Sequence, residues 1–323
     1  MNMIIVIVIT AAASFAGFWV YRRWARSGVM LDHPGPRSSH SATTPTGAGV
    51  VIVAVVLMAV LLLPEVRPEH TVALLLAATL GMLGFLDDRK GLPVGLRLLV
   101  QAGLVCLFLY LNRYMLPARE CGLWFQISFA LGALALLLWL INLFNFMDGI
   151  DGIASLQACF LSVAYLMIFS LDAAGMPLVP LAVSTAIFLI FNRAPATLFM
   201  GDSGSLFIGG VLALFGALLV ISDQAALPVV LILWGSFAAD ATVTLVRRCW
   251  RREMPWRAHK EHFYQRLSQS LQNHSKVANL YTAINILWLL PLALLAYFWP
   301  QYGNMVLVAA YLPLVIAVTC YKC

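Results

Sequence analysis

Fourteen acidic side chains are spread along 323 residues, and several fall in oxygen-rich runs suited to phosphate and metal chemistry. Asp87 and Asp88 are adjacent and are followed by Arg89, Lys90 and Arg97. Neighbouring carboxylates repel, so they call for a metal ion or a basic contact; the alternative is a solvated stop at a helix end. Asn142, Asn145, Asp148 and Asp151 recur at three-residue steps. On a helix such positions share a face and could converge on one ligand, although Gly149 is expected to end the helix and one aspartate could cap the next. Gly201-Asp202-Ser203-Gly204-Ser205 opens an apolar run. Backbone N–H groups there could hold phosphate, glycines allow close approach, and Asp202 could bind a magnesium ion bridging the same phosphates. Capping by Ser203 or Ser205 is the alternative.

His259 and His262 lie three apart on an expected interfacial helix. Zinc lacks further ligands at suitable spacing, so protonatable contacts to phosphate fit the basic surroundings better, and an amphipathic surface helix is compatible with them. Asp240 stands inside an apolar run, where a carboxylate costs about 2.5–3.5 kcal/mol on insertion scales. It is therefore expected to face the bundle or a polar cavity, or to pair with a basic neighbour.

The elements that must position these groups are membrane helices. Hydrophobic residues make up 62% of the chain and charged ones 11%, with a mean hydropathy of +0.90, far from the roughly 25% charge of a soluble domain. The fold expected is all-α, a polytopic integral membrane bundle in one domain over residues 1–323. Eleven spans are expected near 3–21, 47–63, 71–86, 97–112, 125–145, 153–171, 177–192, 205–221, 227–246, 277–298 and 304–320. The run from Ile4 to Val20 lacks a preceding basic region and carries Arg22, Arg23 and Arg26 after it. It reads as a retained span with its N-terminus outside, which puts the C-terminus in the cytoplasm. Of the 20 lysines and arginines, all but Arg67, Arg113 and Arg119 then fall on the inner side. The net charge of +6 is thus a topology signal, and nucleic-acid binding is not expected. Six cysteines without CxxC spacing argue against disulfide and metal roles.

Five motifs occur in one order: Asp32-x-Pro34-x-x-Arg37-x-x-His40 with Pro45 to Gly49, Asp87-Asp88, Asn142-x-x-Asn145-x-x-Asp148-Gly-x-Asp151-Gly, Phe199-Met-Gly-Asp202-Ser-Gly-Ser, and His259-x-x-His262. In this the chain resembles the polyprenyl-phosphate N-acetylhexosamine-1-phosphate transferases, relatives of the phospho-N-acetylmuramoyl-pentapeptide translocase. The resemblance implies that the phosphate of undecaprenyl phosphate attacks the sugar-linked phosphorus of a UDP-HexNAc. UMP leaves, and a lipid diphosphate sugar begins O-antigen-like glycan synthesis. It implies Mg²⁺, with Mn²⁺ as a substitute, on Asp202 and Asp87, and a reacting site formed by Asp87, Asp88 and Asp202, with Asp88 deprotonating or orienting the lipid phosphate. Asn145, Asp148 and Asp151 would contact the nucleotide, the Asp151 carboxylate suiting the uracil N3–H, while Asn192 would border it, Asn142 would bind substrate and Phe199 would stack on uracil. Arg97, His259, His262, Arg37 and His40 would meet the substrates' charge. The setting implied is the inner face of a bacterial plasma membrane, with the bilayer as partner and a homodimer left open.

Two departures stand out. Glu261 occupies the place of a histidine in the sugar transferases, and the match to the pentapeptide translocase, with its three consecutive histidines, is weaker; a smaller HexNAc donor is expected. The turn Pro45-Thr-Gly-Ala48-Gly49 also differs from the usual Pro-x-x-Gly-Gly. Among rivals, an intramembrane serine protease at Ser203 lacks a base within the membrane, since all six histidines fall in expected loops. The signature of CDP-alcohol phosphotransferases is incomplete after Asp151-Gly152. A lipid-linked sugar flippase needs buried polar groups but not so many acids at one face.

Overall fold

With no water in hydrocarbon, each backbone N–H and C=O must be satisfied within its own segment, so the apolar runs fold as helices. The structure is a computed structural model and describes residues 2–33, 43–115, 122–169, 176–254 and 259–321. In chain order come α1 (Met3–Trp24), a two-stranded antiparallel ribbon of β1 (Leu31–Asp32) and β2 (Thr44–Pro45), α2 (Gly49–Val60), α3 (Pro68–Lys90), α4 (Val94–Leu111) and α5 (Leu123–Phe146). Then follow α6 (Ile153–Ile168), α7 (Leu178–Asn192), α8 (Gly201–Ser222), α9 (Ala226–Leu233) and α10 (Gly235–Trp250). The chain closes with α11 (Phe263–Leu271), α12 (His274–Ile284), α13 (Leu290–Phe298) and α14 (Gly303–Cys320).

The chain is thus an all-α, polytopic membrane protein. Each of the eleven expected spans appears as apolar helix, but they differ in reach. Among the described residues, seven helices are long and apolar enough to cross a membrane, and α9 with α10 makes an eighth if the pair, bent by 73° at Trp234, counts as one. The other three, α2, α6 and α7, have 12, 16 and 15 residues. At about 1.5 Å per residue they fall short of roughly 30 Å of hydrocarbon. At the bend, the Tyr311 hydroxyl donates to the Leu231 carbonyl at 2.7 Å, satisfying an acceptor in the turn where the helix breaks.

The most enclosed element is α8, whose side chains from Ser203 to Gly216 are all buried, with α2, α3 and α5 packed around it. Small residues permit this. A Cβ on Gly209 would come within 2.9 Å of Phe144 and one on Gly210 within 2.8 Å of Leu80, and such close contacts replace the missing hydrophobic drive between helices in lipid. The turn before α2 is tied to the approach to α8: Phe199 N donates to Pro45 O at 2.8 Å, Ala48 N to Phe199 O at 3.1 Å and Gly49 N to Met200 O at 2.8 Å. That pairing is the backbone role of Pro45 to Gly49.

Candidate active site

The end of α3 and the start of α8 meet. The helix α3 runs on through Asp87 and Asp88, expected to lie in a loop, and stops at Gly91 with φ +64°. The Asp87 carboxylate accepts from Leu92 N at 2.6 Å and from Arg97 of α4, and the same Arg97 nitrogen reaches Asp202 Oδ2 at 3.2 Å. Asp88 accepts from Asp202 N at 2.9 Å and Ser203 N at 3.1 Å. The cap of α8 is therefore Asp88, not Ser203 or Ser205, and the N–H groups expected to hold phosphate are already engaged by a carboxylate. Ser203 Oγ instead donates to Met200 O, and Ser205 Oγ to Gly201 O. The fit is close: Gly201 has φ +69°, and a Cβ there would lie 2.5 Å from Asp88 Oδ2.

Beside this junction lies a polar cavity of about 450 Å³. Asp32, Asp88, Asp148, Asp151 and Asp202 line it, and no described lysine or arginine does. Asn145, Asn192 and Phe199 also line it, as do Thr46, Gln265 and His274. Asn145 donates to Asp202 Oδ1 at 2.9 Å and Ser205 Oγ at 2.8 Å. Asp148 is held well above the ordinary carboxylate range, first by burial and then by the charges of Asp202, Asp88 and Asp151.

Several expected site residues do not line this cavity. Because α5 ends at Phe146, the three-residue steps do not continue on one helical face. Asn142 donates to Gln101 Oε1 at 2.7 Å and lines a neighbouring apolar groove of about 350 Å³. Val94, Leu98, Ala135, Leu138, Trp139 and Leu245 form its walls, Arg97 lines it as well, and Asn145 belongs to both spaces. Asn192 lines the cavity but is committed to the fold: its Oδ1 accepts from Gly152 N and Ser155 Oγ, and its Nδ2 donates to Leu198 O. The capping role at α6 expected of Asp148 or Asp151 is not taken by either: Gly152 stands at the N-cap, with no side-chain cap bond.

The histidine pair is also elsewhere. Residues 259–262 are not helical, and α11 begins at Phe263. His262 is 4% exposed, 3.6 Å from Asp240 Oδ1, with its ring stacked near those of Phe146 and Tyr264. His259 is pushed down to about 4 by burial, then by His262 and Arg248, so it is neutral near pH 7. Asp240 faces the bundle as expected and accepts from Phe263 N and Tyr264 N, capping α11. Arg37 and His40 lie outside the described residues.

Among the described residues no three His, Cys, Asp or Glu side chains form a ready metal cage. Magnesium asks less, one or two carboxylates plus substrate phosphates. The excess of negative charge on the cavity wall suits it, with Asp202 and Asp148 as carboxylates. Asp87, expected as a ligand, is committed to Arg97 and Leu92 and is not on that wall. Gln265 and His274 were missed because no local pattern marks them; the only hint was Asn273, a capping residue type just before His274.

Residues 70–221 match the family described as glycosyl transferase family 4. The phospho-N-acetylmuramoyl-pentapeptide-transferase of Heliobacterium modesticaldum is 32% identical over 234 residues, 64% of this chain and 71% of the relative. The chain belongs to that transferase family. The enzymes of the same name from Clostridioides difficile (27% over 241 residues, 68% and 73% covered) and Lactiplantibacillus plantarum (31% over 228 residues, 62% and 69% covered) are also similar. The chain is a phosphosugar transferase, which displaces the protease and flippase readings. The family match runs from the start of α3 to the end of α8 and includes Asp87, Asp88, Asp148, Asp151 and Asp202, whereas α11 and α12 lie beyond it.

Proposed function

We propose that this transferase moves an N-acetylhexosamine 1-phosphate unit from a UDP-linked donor to undecaprenyl phosphate, releasing UMP. The observation that carries this is the junction of two unlike spaces at Asn145: an acid-lined polar cavity and an apolar groove that Arg97 also lines. The groove suits a polyprenyl chain and the cavity a nucleotide sugar. An oxygen of the lipid phosphate attacks the sugar-linked phosphorus, and the bond from that phosphorus to the UMP oxygen breaks. Arg97 orients the attacking phosphate while holding Asp87 and Asp202 in place. Asp88, with lone pairs left after capping α8, faces the reacting phosphates. Asp202 and Asp148 would hold magnesium, or manganese in its place, which when bound neutralises diphosphate charge. Phe199 offers a ring for the uracil. Inner-side basic loops support a cytoplasmic cavity in a bacterial plasma membrane.

The names of the relatives favour N-acetylmuramoyl-pentapeptide as the transferred sugar unit over the smaller HexNAc expected from the sequence. The smaller donor remains a second reading because of Glu261, which pairs with Arg248 and, at 3.4 Å, with Arg251 where the sugar transferases carry histidine. Purified protein, undecaprenyl phosphate, Mg²⁺ and radiolabelled UDP donors, with and without the pentapeptide, test both. Lipid-linked product is expected with one donor class; its absence with every donor sinks the proposal.

A further inference from the structure

Among the described cavity residues, Gln265, on the first turn of α11, carries a buried side-chain oxygen without a hydrogen-bond partner. The Tyr264 hydroxyl donates to Phe146 O at 2.9 Å, so its oxygen can only accept from a further partner. The Gln265 amide nitrogen lies near that phenol at Gly149, where only its NH₂ could donate to it. The carbonyl oxygen of Gln265 is the buried atom without a hydrogen-bond partner. The surroundings are built for this. A Cβ on Gly149 would collide with the Tyr264 hydroxyl and come within 3.1 Å of Gln265 Nε2, so only glycine lets the two approach. Asp151 and His274, also on the cavity wall, engage each other at 3.3 Å, and Asp151 Oδ2 accepts from Ala196 N as well. These committed neighbours leave the Gln265 oxygen as an unmatched acceptor, and buried acceptors in native proteins are nearly always matched.

We propose that Gln265 is a specificity residue whose side-chain oxygen accepts an N–H from the bound donor. This rests on the UDP-donor reading. Two parts of such a donor carry an N–H beside a carbonyl, the uracil imide and the sugar's acetamido group, and both donor classes weighed above contain both. Gln265 and its helix α11 lie C-terminal to the matched residues 70–221.

The test compares wild type with Gln265→Met and Gln265→Glu in detergent, reading KM, kcat, UMP affinity and unfolding midpoint. Gln265→Met should raise the donor KM about tenfold, the size of one neutral hydrogen bond, with kcat within about twofold. Gln265→Glu keeps an acceptor oxygen and should retain the wild-type ratio of UMP to N3-methyl-UMP affinity, or of UDP-GlcNAc to UDP-glucose affinity, whichever the wild type displays. The first ratio collapsing in Gln265→Met assigns the uracil; the second assigns the acetamido group. The two ratios in wild-type protein need no folded variant, and values near one for both overturn the inference. So does a Gln265→Met protein that loses only unfolding midpoint. If wild type binds neither UMP nor any UDP-sugar, the donor reading falls and takes this inference with it; if it binds them and Gln265→Met binds equally tightly, this inference alone falls.

Discussion

Two helices here begin on an aspartate supplied by another helix, and the two junctions differ in what they leave over. At α11, Asp240 accepts from Phe263 N at 2.7 Å, Tyr264 N at 2.9 Å, the Tyr281 hydroxyl at 2.6 Å and Thr244 Oγ1 at 3.3 Å, and it is fully buried. A carboxylate has about four lone-pair sites, so this one is saturated. At α8, Asp88 accepts two backbone N–H groups and otherwise faces the polar cavity. Burial of a charge demands complete satisfaction, and Asp240 meets it. A carboxylate that caps a helix with half its capacity and lies on a cavity wall keeps the rest for a ligand. The same capping device is therefore architecture in one place and part of a candidate reaction centre in the other.

The largest effect should come from the residue that Asp88 positions. Asp202→Asn is expected to lower lipid-product formation about a thousandfold, as loss of one preorganised electrostatic group does, while the unfolding midpoint stays near wild type. Near-normal turnover would remove Asp202 from the reaction.

The comparison itself is tested by the paired variants Asp88→Asn and Asp240→Asn. Asp240→Asn should cost about 3 kcal/mol of stability in detergent, the scale of a broken buried charge network. Asp88→Asn should cost mainly turnover, about a hundredfold, because the start of α8 shifts by a fraction of an ångström. Equal stability losses in the two would erase the distinction.

Gly84→Ala sharpens it further. The added methyl would run into the backbone of Asp202 and Ser203, so α3 and α8 must separate. About tenfold loss in kcat is expected from this misplacement, with Gly95→Ala, which meets nothing within 4 Å, as the silent control.

The smallest effect concerns the Asp240 side. His259, facing His262, Arg248, Glu261 and Asp240, is lowered from 6.5 to about 4. The unfolded chain then takes the proton first as pH falls, so stability is whole above about pH 6.5 and declines toward pH 4. His259→Gln should flatten that part of the unfolding-midpoint profile, and an unchanged slope would contradict it.

Much of this was legible residue by residue. Hydropathy marked eleven spans that all prove helical, and the polar runs marked Asp88, Asn145, Asp148, Asp151 and Asp202, which do share a cavity. Spacing misled at Asn142 and at the histidine pair, because a three-residue step has meaning only while a helix lasts, and α5 ends before Asp148 while α11 starts after His262. Reach was misjudged for α2, α6 and α7, since apolar composition alone does not set helix length.

The sequence by itself determined that this is a helical membrane protein and in what order its acids occur, because hydropathy and backbone satisfaction in lipid are properties of each segment alone. Only tertiary structure decided that Asp88 would cap α8 from 114 residues away, that Asp87 would turn to Arg97, and that the Gln265 oxygen would be left open. Those outcomes depend on the rotation and closeness of one helix against another, which glycines such as Gly84, Gly149 and Gly201 permit and no single segment specifies.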